Sequence, residues 1–232
     1  MNNKIKIVLQ KRDINILKFV SDMDFVPSKS LKEVFFNDKS LSACKKRLWN
    51  LKRSEYLKLI ESPKGERLYQ VTNNGLKVVQ NEFCEELIIE PSKSINFDTL
   101  EHSIGITKIR TILESKLSII KWTVDRSLEF QSKSEGSRVY VPDSLIKLDS
   151  GQILVLEYER VQKTKARIEQ RILEVEKIMG DFFANSKDAF GLIVCRGKRI
   201  KELYNERNIN KNIKIVLLSE LACFKFNEAY EW

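Results

Sequence analysis

The first third of the chain shows three short helical periodicities of apolar residues. Apolar positions recur every three or four residues after Asp13, which is predicted to cap the first helix, and again over residues 31–36. A third helix is predicted from Leu41 to about Arg53, with Ser40 as its cap. One stripe of this helix is apolar, formed by Leu41, Cys44, Leu48 and Leu51. Two helices joined by a short turn, the second with an apolar back, are typical of a helix-turn-helix.

A β-hairpin and a further helix are predicted directly after these helices. Residues 57–60 and 67–71 have strand character, and the turn between them contains Pro63 and Gly65. Thr72 is predicted to cap the following helix. The pattern therefore predicts a winged helix-turn-helix over residues 1–82, with the hairpin as the wing.

Positive charge is concentrated in this same region. Residues 1–80 contain 17 Lys and Arg and 8 Asp and Glu, whereas residues 81–232 contain 24 of each. Because cationic side chains neutralise phosphates, the pattern predicts double-stranded DNA as the partner. The candidate DNA-contacting residues are, on the third helix, Ser42, Lys45, Lys46, Arg47, Trp49 and Arg53, and, on the hairpin, Lys64 and Arg67.

The second half of the chain alternates helical and strand patterns after an acidic, turn-like segment, residues 83–96, that is predicted to be a linker. Helices are predicted at 99–116, 164–184 and 198–205, and strands at 119–124, 139–148, 152–160, 190–195 and 213–218. This order predicts a second domain over 97–232, with a mixed sheet and helices on its faces. The fold class of the whole chain is therefore α+β.

Three carboxylates lie on neighbouring strands of this predicted domain. Asp143 follows Pro142 in the second strand, and Glu157 and Glu159 share one face of the third. Asp143 and Glu157 are candidate ligands for Mg²⁺ or Mn²⁺, although no cofactor is required by the pattern, and all three acids are candidate catalytic residues.

This pattern resembles the P-D…(D/E)-x-K motif of restriction-endonuclease-like nucleases, with Glu159 at the lysine position. The resemblance implies a nuclease-like fold, but the missing lysine leaves the attacking water without its cationic neighbour. Lys163 and Lys165 are the nearby lysines that could replace it. We therefore expect slow or absent cleavage.

The chain as a whole resembles the replication-relaxation family of plasmid and mobile-element proteins. The resemblance is carried by Arg47-Leu48 with Leu51, by Tyr69, Thr72 and Gly75, by residues 100–106, by residues 141–143 and by residues 156–159. It implies a winged helix joined to a degenerate nuclease-like domain that acts in plasmid replication initiation, relaxation or mobilisation. A relaxase or a replication initiator is the implied protein partner. His102 lies in one of these segments and is therefore a further candidate for the second-domain site.

Three functions are compatible with these patterns. The first is a DNA-binding accessory protein without catalytic activity, whose second domain forms a homodimer, contacts a partner or touches further DNA. The second is a Mg²⁺-dependent endonuclease targeted by its winged helix, and the third is a transcriptional regulator. The chain has no apolar run of about 20 residues that would cross a membrane. It also lacks the features of a signal peptide, so a cytoplasmic location is expected. The four cysteines form no C-x-x-C pair, which argues against a structural zinc site.

Overall fold

A computed structural model describes residues 7–62, 65–83, 91, 97–125, 127–128, 140–184 and 188–226. The chain forms two compact units, Met1–Thr111 and Ile112–Trp232. Most of the predicted linker, residues 83–96, lies outside the described residues, so the functional boundaries 1–82 and 97–232 stay predictions. Each unit is described by itself below.

The first unit combines helices with a small antiparallel sheet. Its elements are α1 (Lys11–Met23), β1 (Val26–Pro27), α2 (Ser28–Phe35), α3 (Leu41–Arg53), β2 (Leu57–Glu61), β3 (Arg67–Val71), α4 (Asn73–Phe83) and α5 (Phe97–Glu114), which continues into the second unit. The strands lie in the order β1-β3-β2, and both pairings are antiparallel. The predicted helices and the β2–β3 hairpin are therefore confirmed. The sequence pattern did not predict β1, where Val26 pairs with Tyr69.

The helix α3 begins and packs largely as its sequence predicts. The Ser40 hydroxyl accepts a hydrogen bond from the Ala43 N–H at 3.1 Å, which satisfies one of the free backbone donors of the first turn. Cys44, Leu48 and Leu51 are buried, as the apolar stripe requires. Leu41 was expected in that stripe but is 53% exposed, because the first turn of the helix extends past the core.

The start of α4 is fixed against the end of α3 by backbone contacts. The Thr72 N–H donates to the Tyr56 carbonyl at 3.1 Å, and the Thr72 hydroxyl donates to the Glu55 carbonyl and accepts from the Gly75 N–H. A Cβ on Gly75 would clash with the Tyr56 carbonyl oxygen and with the side chain of Val71. A glycine is therefore needed at this close approach.

The helix α5 packs as part of the first unit over its N-terminal portion. Leu100 and Ile104 are buried together with Phe25 and Leu68 in one apolar cluster. Further along α5, Arg110 Nη1 lies 3.0 Å from Asp22 Oδ2 on α1. The sequence had assigned this helix to the second domain, because its periodicity alone does not indicate which surface it covers.

The second unit contains one five-stranded mixed sheet. Its elements are β4 (Ile119–Val124), β5 (Ser144–Leu148), β6 (Ile153–Glu159), α6 (Lys165–Ala184), β7 (Ala189–Cys195), α7 (Lys198–Asn205) and β8 (Ile213–Leu217). The strand order is β4-β5-β6-β7-β8; the first three strands are antiparallel, and β6, β7 and β8 are parallel. The predicted succession of elements and the mixed sheet are confirmed.

The strand β5 is shorter than predicted. It begins at Ser144, so Asp143 lies just before the strand rather than within it. Pro142 has no N–H to donate to a strand ladder. The Asp143 carboxylate is instead turned toward β6, as described below.

The core of this unit lies between the sheet and α6. Every residue of β6 and β7 is buried. The stripe of α6 that faces the sheet packs against Ile153 and Val155 of β6 and consists of Ile168, Ile172, Val175 and Met179. A Cβ on Gly191 of β7 would come within 2.9 Å of Val175, so the missing side chain lets the helix lie close to the sheet.

Two further sequence expectations concern cysteines and membranes. The thiols of Cys44 and Cys195 are buried and that of Cys223 is exposed, and all three are free; Cys84 lies outside the described residues. Over the described ranges, no helix has the length and apolarity that crossing a bilayer requires.

Candidate functional sites

The outer side of α3 presents a cluster of exposed polar and cationic side chains, which we call the basic surface. Its members are Ser42, Lys45, Lys46, Trp49 and Arg53, all of them exposed. Lys45 and Lys46 make no ion pair or hydrogen bond with any described residue. Trp49 is 50% exposed, and Lys52 Nζ lies 4.6 Å from the centre of its ring. The predicted contact residues on this helix are therefore brought together on one side, with the exception of Arg47.

Arg47 points inward rather than toward the basic surface. Its Nε donates to Asp13 Oδ1 at 2.8 Å, and its Nη2 donates to Asp13 Oδ2 and to the Val8 carbonyl. The Asp13 carboxylate is fully buried, and its hydrogen bonds raise the pKa of Arg47 further above its usual value. This bidentate pair joins α3 to α1 and holds the helix that carries the basic surface.

Asp13 differs slightly from its predicted role at the start of α1. The helix begins at Lys11 with Gln10 as its N-cap, and Asp13 is the third helical residue. Its carboxylate accepts the Gln10 N–H at 2.7 Å, so it completes a capping box and also binds Arg47. The sequence signal for this pairing is that both charged residues lie on the apolar stripes of their helices.

Of the two DNA-contacting residues predicted on the hairpin, the structure describes Arg67 but not Lys64. Arg67 is exposed at the first position of β3, opposite Glu61 of β2. Lys64 lies in the turn, outside the described residues. The hairpin therefore adds at least one exposed cation to the first unit.

The predicted acids of the second unit come together at one end of β6, and we call Asp143, Glu157 and Glu159 the acidic site. Glu157 and Glu159 are 3% and 1% exposed and share the face that α6 covers. The pairing of Ser144 with Leu156, continued by one residue, places Asp143 opposite Glu157 on that face. Asp143 Oδ2 accepts the backbone N–H of Tyr158 at 2.7 Å.

Two cations from the neighbouring chain segments reach these buried carboxylates. Arg171 on α6 has Nη1 at 3.4 Å from Glu157 Oε1 and Nε at 3.7 Å from Glu159 Oε1. Lys163 Nζ lies 2.7 Å from Glu159 Oε1. The Arg171 guanidinium also lies 4.5 Å from the centre of the Tyr140 ring and contacts Glu174 at 3.4 Å. Lys163 therefore contacts Glu159, the residue that stands at the lysine position of the nuclease motif. Lys165 is exposed at the start of α6.

The acidic site perturbs two further groups beside it. Burial raises the pKa of the Tyr204 hydroxyl, and the negative charge of Glu159 raises it further. Burial likewise raises the pKa of the Cys195 thiol to about 12, again with a contribution from Glu159. Both groups stay protonated at neutral pH. Among the described residues, the buried hydroxyls of Tyr140 and Tyr204 have no hydrogen-bond partner of good geometry.

These residues do not fit a resident divalent cation in the arrangement observed. No group of three or more His, Cys, Asp or Glu in the described part of the chain is placed to hold a metal ion. The carboxylates of Glu157 and Glu159 are already contacted by cationic side chains, and that of Asp143 accepts a backbone N–H. A Mg²⁺ ion would have to approach such an oxygen to about 2.0–2.1 Å, beside cationic groups that already contact the same carboxylates.

His102 and the acidic site belong to different units of the chain. It is a half-buried residue of α5 in the first unit, whereas Asp143, Glu157 and Glu159 belong to the second. Its proposed role at the second-domain site stays a prediction.

Sequence reasoning missed Arg171, which contacts two of the three acids. A signal for it exists in the pattern of α6. Arg171 lies three residues after Ile168 and four before Val175, so it falls on the apolar stripe that faces the sheet. A charged side chain on such a stripe requires a buried partner, and the nearest predicted candidates were the glutamates of the adjacent strand.

Comparisons with known proteins add one structural similarity. No protein-family model and no curated protein sequence matches the chain. Among solved structures, the chain is similar to a repair endonuclease from Pyrococcus abyssi, with 13% sequence identity and a TM-score of 0.31. The matched region covers 69% of this chain and 63% of that one. A TM-score of this size does not establish a shared fold, so the interpretation of both sites rests on their own geometry.

Proposed function

We propose that the protein binds double-stranded DNA through a winged helix formed by its first unit, with α3 as the recognition helix and the β2–β3 hairpin as the wing. The observation that carries this proposal is the pair Lys45 and Lys46, exposed on α3 and without a carboxylate partner among the described residues. An exposed lysine held by no partner is available to a phosphate at no cost in broken ion pairs. Ser42, Trp49 and Arg53 lie on the same surface and supply contacts to the groove.

The way in which α3 is anchored supports the same proposal. The helix has its apolar stripe in the core, its cap at Ser40 and its Arg47 bound to Asp13. A recognition helix must be held rigidly so that its outer side chains meet base edges and phosphates together. Arg47 therefore acts by positioning the helix, and the direct contacts belong to its neighbours.

A DNA-binding titration of the full chain tests this function. Lys45→Ala/Lys46→Ala should weaken binding by about tenfold to a hundredfold, since each lost phosphate or base contact costs on the order of 1 kcal/mol. The matched control is Lys165→Ala/Arg167→Ala, which removes two exposed cations from α6 and should leave the affinity within about twofold. Equal losses in the two variants would show that the second unit carries the main DNA contact.

The biological setting that we propose is a plasmid or another mobile element. It rests on the ordered motifs of the replication-relaxation family and implies a relaxase or a replication initiator as partner. Co-purification of the full chain with such a protein encoded beside it is the test. A regulator of transcription would instead bind a promoter and change its transcript level.

A metal-dependent endonuclease is the second candidate function. The observation in its favour is Lys163, whose ammonium reaches Glu159 and thus restores a cation near the acids. The observation against it is Arg171, which contacts both glutamates. A nicking assay on supercoiled plasmid with Mg²⁺ or Mn²⁺ should show no cutting by the native protein beyond that of Asp143→Ala. Cutting that disappears in Asp143→Ala would establish the endonuclease.

A further inference from the structure

The two buried glutamates of the acidic site are contacted by cationic side chains of the chain itself. Glu157 and Glu159 are nearly fully buried, and a buried carboxylate must be either paired or protonated. Arg171 and Lys163 supply two positive charges within 3.7 Å of these carboxylates. The cluster therefore already contains the cations that a metal-dependent site would take from solution.

Arg171 is held in place by more than the two glutamates. Its guanidinium lies over the Tyr140 ring, and Glu174, one turn further along α6, contacts it from the helix side. Its side chain is only 13% exposed. Arginine suits this position because it presents several donors from one planar group, and so it can serve two carboxylates at once.

We propose that Arg171 is a built-in counter-ion that takes the place of a divalent cation at the acidic site, so that the second unit folds without metal. A divalent ion bound to Glu157 Oε1 at about 2.0–2.6 Å would lie within roughly 6 Å of Arg171 Nη1, where the two cations repel each other. The ion would also have to take Glu157 from its arginine partner. Metal binding is therefore opposed by a residue of the chain and becomes possible once that residue is removed.

The direct test is a Mn²⁺ titration of full-length variants, in which the electron paramagnetic resonance signal of free Mn²⁺ measures how much of the ion is bound. Arg171→Met should gain a Mn²⁺ site at least tenfold tighter than any site of the native protein. The gained site should disappear in Glu157→Gln/Arg171→Met, which removes a carboxylate ligand. The matched control is Arg167→Met, an exposed arginine one turn earlier on the same helix, which should bind Mn²⁺ as the native protein does.

Thermal unfolding gives a second, independent readout. Arg171→Met should melt at a temperature several degrees below that of the native protein, because it removes the cation that contacts both buried glutamates. Mn²⁺ should raise the melting temperature of this variant and leave that of the native protein unchanged. Glu157→Gln/Arg171→Met should melt above Arg171→Met, since both members of the pair are then uncharged.

Each outcome decides for or against the counter-ion. Tight Mn²⁺ binding by the native protein that is lost in Asp143→Asn or Glu157→Gln would overturn the proposal, as would a folded Arg171→Met that gains no site. If Arg171→Met does not fold, folding must return in Glu157→Gln/Arg171→Met, and failure to return also overturns it. The DNA-binding function is untouched by any of these results, because it rests on the first unit.

Discussion

Lys45 and Lys46 on α3 are exposed and have no carboxylate partner in the described part of the chain, whereas Arg171 on α6 is almost buried and contacts two glutamates. The same residue types therefore serve different purposes in the two units. Lys45 and Lys46 of the first unit face solvent, where an anionic partner can reach them. Arg171 of the second unit instead neutralises buried carboxylates of the chain itself.

This difference shows that net charge alone does not distinguish exposed cations from cations paired within the fold. Arg47 adds to the positive excess of the first eighty residues, yet it is bound to Asp13 and resembles Arg171 more than it resembles Lys46. Burial and pairing, rather than charge, separate cations that bind partners from cations that hold the fold.

The largest effect that we expect from this comparison is on stability, at Arg47. Arg47→Ala leaves the fully buried Asp13 carboxylate without its cation and should lower the free energy of unfolding by about 3–5 kcal/mol. Lys46→Ala, one residue earlier and exposed, should change it by less than about 0.5 kcal/mol. Denaturant unfolding followed by circular dichroism measures both. Similar values for the two variants would remove the distinction between paired and unpaired cations on α3.

A smaller stability effect is expected at Lys163. Lys163→Ala removes the ammonium that lies 2.7 Å from the buried Glu159, and a hydrogen bond between charged groups contributes about 1.5–3 kcal/mol. Arg171 remains near Glu159, so the loss should stay at the lower end of that range. Lys165→Ala, exposed two residues later, is the control and should have the stability of the native protein. A Lys163→Ala variant as stable as the control would mean that Arg171 alone neutralises the site.

The two buried cysteines allow the electrostatic environments of the units to be compared directly. Burial raises the pKa of Cys44, but the nearby cations Lys32, Arg12 and Lys45 oppose that rise. Burial raises the pKa of Cys195 to about 12, and Glu159 adds to the rise. Since the thiolate is the reactive form, Cys44 should be alkylated faster than Cys195 at pH 9, and the exposed Cys223 faster than both. Peptide mass spectrometry after timed iodoacetamide labelling measures the order, and a faster Cys195 would contradict it.

Much of the fold was predictable because hydrophobic periodicity is a local signal. The stripe Cys44, Leu48 and Leu51 predicted the buried side of α3, and the apolar run of β7 predicted a strand, all of whose residues are buried. What a helix packs against is not a local property. The contacts of Leu100 and Ile104 with the first unit were therefore missed, as was the pairing of the two-residue strand β1 with β3.

The candidate sites were predictable to a similar extent. The alternation of side chains along β6 predicted Glu157 and Glu159 on one face, because strand geometry has a period of two, and Arg171 contacts both of them. The partners of charged residues could not be found in the same way. Asp13 and Arg47 are 34 residues apart, and Glu157 and Arg171 are 14 apart, so neither pair belongs to a single element.

The most direct test of DNA binding by the basic surface is the salt dependence of affinity for native protein and for Lys45→Ala/Lys46→Ala. Each phosphate neutralised by a lysine contributes about 0.9 to the slope of log K against log salt concentration. If both lysines contact phosphates, the double variant should have a slope smaller in magnitude by about 1.8, with the unfolding free energy unchanged. An unchanged slope, or DNA binding that does not depend on salt in the native protein, would contradict the assignment of the basic surface to DNA.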